Sequence, residues 1–539
     1  MTVTARQQRL TLIACILGSV VVFVDGTVVN VALPAIRADL DVGLSAQQWI
    51  VDAYLLTLGS LLLIGGSLGD ILGRRRMFAF GVVGFGVTSM LCALSPSATA
   101  LIVARGLQGI AGALLVPSTL GIITATFSEG ERGRAIGTWT AWSGISTVIG
   151  PLAGGLILEA ASWRWIFAIN VLPILVTLYL IRHMSAAHDH PVGGRVDIVG
   201  AVLCAIGLGG PVFALIEQPN HGWADPMIWI PLVAGVAVFV AFLVYERRSS
   251  HPMLDLTLFR RRNFAVGNGA TLLMYGGLSG ATFLIPIFLQ EAAGFTPLVA
   301  GLSLLPISIV MFLLSARMGA LADRFGPRIF MGAGPIVAGC GLALLAMMGS
   351  DVDYWTNVLP GALVFALGLS LTVAPLTATV LGGVDERHAG VASGVNNAIA
   401  RVAGLVAIAV IGAVVSSAFA SSVDDQLAGR RLSPRAERVV AQGKTEVLGA
   451  SVPPTLGVER VPVQAAVTDA SVDGFRTGML LGAGIVVLAG LVSIAGIRNP
   501  ERDVKCADCA GGALAGAPQD AGRELPRVTV TVPAPAGAR

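Results

Sequence analysis

Long apolar runs separated by short polar breaks dominate the pattern of this 539-residue chain. Runs long enough to cross about 30 Å of hydrocarbon as helices fall at 11–33, 47–69, 77–95, 99–124, 134–158, 164–182, 197–217, 227–245, 264–288, 298–319, 328–348, 355–380, 390–418 and 475–498. They predict an all-α membrane protein with fourteen transmembrane (TM) helices. No small-residue cleavage site follows the first run, so it is expected to persist as a signal-anchor.

An internal repeat orders these runs. GSLGDILGRRR at 66–76 and GALADRFGPR at 319–328 share a spacing of 253 residues, from Gly66 to Gly319, Asp70 to Asp323 and Gly73 to Gly326. The same offset carries the first run onto the ninth. The domains expected are therefore an N-terminal six-helix bundle, 1–182, an inserted helix pair with cytoplasmic linkers, 183–263, and a C-terminal six-helix bundle, 264–498. For the sixth helix the offset lands on polar sequence (SSVDDQLAGRR), so an extracytoplasmic loop, 419–474, is expected to displace the last helix. Residues 499–539 read as a disordered cytoplasmic tail. Two parallel six-helix halves with a substrate path between them resemble the major facilitator fold, here with two added helices.

Composition agrees with this and adds an orientation. Hydrophobic residues make up 55% and charged residues 12%, against about 25% charged in soluble domains, so lipid must face much of the surface. The short loops on one side hold Arg74–Arg76, Arg132, Arg134, Arg195, Arg247, Arg248, Arg260–Arg262, Arg324, Arg328 and Arg387, and those on the other only Arg37 and Arg164. The positive-inside rule then puts both termini in the cytoplasm. The six cysteines form no disulfide framework; Cys506 and Cys509 lack a second ligand pair, and His183, His188 and His190 read as a solvated loop, so no metal site is expected. No Walker motif is present, which argues against ATP as the energy source.

The charges inside the spans carry the chemistry. Asp25 lies eight residues inside the outer end of its run, Arg105 six and Asp52 five, depths of about 12, 9 and 8 Å at 1.5 Å per residue. Each would cost about 2.5–3.5 kcal/mol facing lipid, so they are expected to face a polar cavity or one another. They are the candidate proton-coupling groups. A plain Asp25–Arg105 tie between two helices, and simple hydration of Asp52, are the alternatives. Asp70, Gly73, Arg74 and Arg75, with Glu129 as a possible third partner, form a candidate cytoplasmic gate. Gly150, Pro151, Gly154 and Gly155 weaken the fifth helix and permit close approach by a neighbour. Gln108, Tyr275, Asn396, Asn397 and Arg401 are candidate substrate contacts, with helix packing an equal explanation.

VDGTVVNVALP, GSLGDILGRRRMF, LIVARGLQGIAGA and GPLAGG, in that order, resemble the signature motifs of the fourteen-helix drug:proton antiporters of the major facilitator superfamily. The resemblance covers residues 11 to about 418 and the last helix. It implies a non-enzymatic multidrug efflux transporter that exchanges protons for small amphipathic or cationic drugs. It places proton and substrate coupling on Asp25 and Arg105 and the antiporter motif on Gly150, Pro151, Gly154 and Gly155. Ser146 and Thr147 depart from that motif, and Pro327 stands in the second repeat where Arg74 stands in the first. The expected partners are a small-molecule substrate, protons and the bilayer of a bacterial cytoplasmic membrane, with no nucleic acid and no cofactor beyond the proton gradient, for a monomer. The competing readings are a dedicated exporter of one metabolite or lipid, and a membrane sensor of the same fold without flux.

Overall fold

A computed structural model describes residues 5–127, 129–184, 196–250, 252–382, 389–430, 432–449 and 452–499. These residues form seventeen α-helices and no strand. The N-terminal half comprises α1 (Ala5–Leu40), α2 (Leu44–Leu72), α3 (Arg74–Ala93), α4 (Ala98–Thr126), α5 (Glu129–Ala160), α6 (Trp165–Ala168) and α7 (Val171–Arg182). The inserted pair is α8 (Ile198–His221) and α9 (Pro226–Arg248). The C-terminal half holds α10 (Arg262–Glu291), α11 (Pro297–Ser303), α12 (Leu305–Phe325), α13 (Pro327–Leu345), α14 (Leu359–Gly382), α15 (Ala389–Leu427), α16 (Pro434–Glu446) and α17 (Arg460–Gly496). Among the described residues thirteen helical segments are long and apolar enough to cross a membrane, and a shorter apolar stretch, Ile149–Ala160, lies in α5.

Local signals set the ends of these helices. Asp225 and Thr296 accept from backbone amides of the first turn and each is followed by a proline at the first helical position, where no amide is needed. The repeat is visible in the turns. Leu44 and Arg74 open α2 and α3, and Pro297 and Pro327, 253 positions on, open α11 and α13. Gly73 and Gly326 close the preceding helices at φ 98° and 92°, a left-handed region that glycine enters without a Cβ penalty.

Close packing in lipid rests on small residues, since the solvent supplies no hydrophobic drive between helices. A Cβ on Gly65 of α2 would overlap the carbonyl of Ala113 of α4, and one on Gly109 of α4 would overlap Tyr54 of α2. Gly341 and Gly368 play the same part between α13 and α14. Large apolar side chains such as Phe80, Leu172, Val233 and Phe312 point outward, as lipid contact requires.

The halves meet where α1 ends and α2 begins, the end expected to lie outside. Arg37 of α1 pairs with Glu291 of α10 at 3.1 Å and with Glu446 of α16 at 3.1 Å. Gln290 donates to the Val31 carbonyl (3.0 Å), and Gln48 to that of Ile408 (2.8 Å). Thr296 donates to Glu159 at 2.9 Å, and Trp49 to Glu217 at 2.8 Å. The helix-end acids are therefore ties between elements rather than bystanders at the interface. In the inserted pair, α8 packs against both α2 and α15, whereas α9 stands mostly exposed.

Residues 419–474 differ from the expected loop. α15 continues to Leu427, α17 begins at Arg460, and α16 lies between them. Ala436, Val447, Leu448 and Leu456 are buried in the same core cluster as Phe419 and Phe475, which explains the helical structure. The charged residues between them mask that apolar face in a hydropathy reading. Residues 500–539, with Cys506 and Cys509, and His188 and His190 lie outside the described residues.

Arg435 is exposed on α16, so an Arg435→Cys variant on a background without native cysteines checks the orientation. An impermeant maleimide should label it in intact cells. Labelling only after lysis would place this helix inside.

Candidate functional site

Asp25 sits in the middle of α1 and is fully buried. Its Oδ2 receives Arg105 Nη1 at 2.5 Å, and its Oδ1 receives Gln108 Nε2 at 3.0 Å and Asn170 Nδ2 at 2.9 Å. Arg105 and Gln108 are three residues apart on α4 and so share a face. Asn170 occupies the break between α6 and α7, where the expected single helix is interrupted. Ser89 of α3 accepts from Gln108 at 2.9 Å. Arg105 also donates to the Ile50 carbonyl of α2 at 3.0 Å, and its guanidinium lies 4.3 Å from the centre of the Tyr54 ring. A single carboxylate thus ties together α1, α3, α4 and the α6–α7 break, and Arg105 adds α2.

A buried ion pair depends on further hydrogen bonds to its other donors and acceptors, and here both Asp25 oxygens and the Arg105 Nε are engaged. Gln108, a candidate substrate contact, is instead wholly enclosed in the network. Asn170, Ser89 and Tyr54 are members that the sequence reading missed. Asn170 carried a usable signal, an amide within the apolar run FAINVLP. Ser89 carried none.

Asp52, the third acid at this depth, is not in the network. It is fully buried on α2, and neither carboxyl oxygen has a hydrogen-bond partner. Nothing among the described residues pairs with a charge on it. Two acids in one bundle are therefore held in opposite ways.

Other candidate residues are placed as follows. Arg74 donates to the Gly121 carbonyl at 2.8 Å, and Arg75 to that of Ile181 at 2.8 Å, beside the left-handed Gly73. The side chains of Asp70 and Glu129 lie outside the described part, so the acidic side of this candidate gate is not placed. Gly150 is in contact with Thr27 of α1, and Gly154 faces Val28, to which a Cβ would come within 2.8 Å. At Gly155 a Cβ would lie 2.6 Å from the Leu298 Cα of α11, and Gly301 of α11 abuts the Pro151 carbonyl. The glycines of α5 therefore let it fit between α1 and the opposite half. In the C-terminal half Asn396 donates to Asn268 (3.1 Å) and Thr271 (2.8 Å), while the exposed Asn397 bonds within its own helix to Ser393. Tyr275 is half-buried on α10, and Arg401 projects towards Phe23 of α1. No group of metal-binding side chains occurs among the described residues.

Two outcomes separate the buried acids. Removing one member of a buried ion pair costs about 3–5 kcal/mol, so Asp25→Asn should melt well below wild type in detergent. Asp52→Asn, which gives up an unpartnered carboxyl, should melt at or above it. A methyl at Gly155 should part α5 from α11. In Gly155→Ala, a cysteine replacing Gln290 should react with maleimide several-fold faster than in the parent, and an unchanged rate would remove α5 from the closure.

The profile of the Major Facilitator Superfamily matches residues 15–408 of the chain. The chain is 34% identical over 516 residues to the multidrug resistance protein Stp of Mycobacterium tuberculosis, covering 93% of this chain and 94% of that protein. It is 33% identical over 503 residues to a tetracenomycin C resistance and export protein of Streptomyces glaucescens, covering 90% of each. The crystal structure of a bacterial homolog to the human lysosomal transporter Spinster shares the fold with a TM-score of 0.65 at 16% identity, covering 93% of this chain and all of that one.

Proposed function

Because the chain belongs to the Major Facilitator Superfamily, we propose that it is a proton-coupled antiporter that exports small amphipathic compounds across a bacterial cytoplasmic membrane. It is a multi-pass membrane transporter and not an enzyme, and its relatives include multidrug and antibiotic resistance and export proteins. Export, the proton as driving ion, a fourteen-helix monomer with both termini inside, and independence from any cofactor form the proposed part.

One observation carries the proton reading. Asp52 is a fully buried acid without a partner, in the same bundle as an acid whose charge is fully compensated. An isolated buried charge is expensive, so Asp52 is suited to bind a proton when enclosed and release it when water or a cation reaches it. Asp25 can join the cycle only when Arg105 and its other donors move away. The α1–α4 contact is then the element whose rearrangement would change the balance of charge. Closure at the Arg37 end supports alternating access, since a path sealed there must open elsewhere for cargo to enter.

Substrate-driven proton movement in proteoliposomes tests this, with Asp52→Asn as the informative variant because its fold should survive. It should abolish proton release and uphill export while substrate exchange persists. Full coupling in Asp52→Asn would move the proton role to another group, and wild-type export unaffected by collapse of the proton gradient would end the antiport reading.

A further inference from the structure

Arg401 is a cation at mid-depth between the two halves. It lies on α15, and its guanidinium is 5.4 Å from the centre of the Phe23 ring of α1. The backbone is held close, with Gly59 of α2 against the Arg401 Cβ at 3.4 Å. Among the described residues this half-buried guanidinium has neither an ion pair nor a hydrogen bond.

The contrast with Arg105 is informative. Arg105 lies over the Tyr54 ring, but Asp25 compensates its charge and three further contacts fix it. No such carboxylate serves Arg401. Asp52 lies on α2, but neither of its carboxyl oxygens has a partner, so it does not pair with Arg401. Helix α1 also borders open space. A methyl on Gly26, one turn from Phe23 on α1, would meet nothing within 4 Å. The seam between the halves therefore holds an unpaired guanidinium beside the Phe23 ring, with open space one turn along α1.

An unpaired, half-buried guanidinium keeps its desolvation cost until an anion meets it, and its planar fork suits carboxylate, sulfonate or phenolate oxygens. The Phe23 ring beside it favours a flat apolar body attached to that anion. From this we infer that Arg401 is the charge-selecting contact for cargo, and that the transporter takes small aromatic anions in preference to cations. The inference rests on the transport reading above and narrows its substrate class.

Uptake into proteoliposomes with an imposed proton gradient tests it, using an anilinonaphthalenesulfonate dye as the anion and ethidium as the cation. Wild type should carry the sulfonate with saturable kinetics and ethidium poorly. Arg401→Gln should raise KM for the sulfonate about ten- to hundredfold, the scale of a lost charged hydrogen bond, without lowering ethidium transport. Arg401→Lys should recover part of the loss, since it keeps the charge but not the fork. Equal loss of both probes in Arg401→Gln, or unchanged kinetics for the sulfonate, would overturn charge selection while leaving export intact. Failure of wild type to move either probe under a proton gradient would overturn the export reading as well.

Discussion

The ion pair between Asp25 and Arg105 fixes the geometry of the N-terminal half. Both are fully buried, so neither charge can be hydrated by bulk solvent, and each is tolerable only with the other in place. The surrounding donors follow from that need. Gln108 and Asn170 donate to the second carboxylate oxygen, and the Ile50 carbonyl accepts from the arginine Nε. Asn170 can reach Asp25 because the chain breaks between α6 and α7 there. Small residues bring α4 close enough to α2 for Arg105 to lie over Tyr54. Packing and charge compensation are thus one constraint.

Closure of the Arg37 end follows different physics. Its ties are single hydrogen bonds and part-exposed ion pairs, worth little individually in a wet setting, set around close backbone contacts between α5 and α11. Such a surface can part and re-form, whereas the Asp25 network cannot be opened without stranding a charge. Arg37 joins both halves and α16 at one point. The helical insertion therefore belongs to the same closure as the halves, and its movement must follow theirs.

Much of this was legible in the sequence because lipid imposes simple rules. Spans must be apolar and long, and the 253-residue spacing read from the motif recurs in the helix starts at Pro297 and Pro327. The Asp25–Arg105 pairing was foreseeable, since charged groups at one depth in hydrocarbon must find each other or water. Other features were hidden for physical reasons. Hydropathy averages away an amphipathic segment such as α16, so 419–474 read as a loop. A network member such as Ser89 looks like any small polar residue on a membrane helix. The unpartnered state of Asp52 depends on which way α2 is rotated, which spacing within one helix does not reveal.

The repeat copies the helices but not the charges. The positions 253 residues beyond Asp25, Asp52 and Arg105 are Leu278, Leu305 and Val358, and beyond Gln108 and Asn170 stand Gly361 and Val423. Nothing in the second half can therefore rebuild the buried ion pair. That half offers instead an uncharged cluster of Asn268, Thr271 and Asn396, and Arg401, whose counterpart in the first half is Val148.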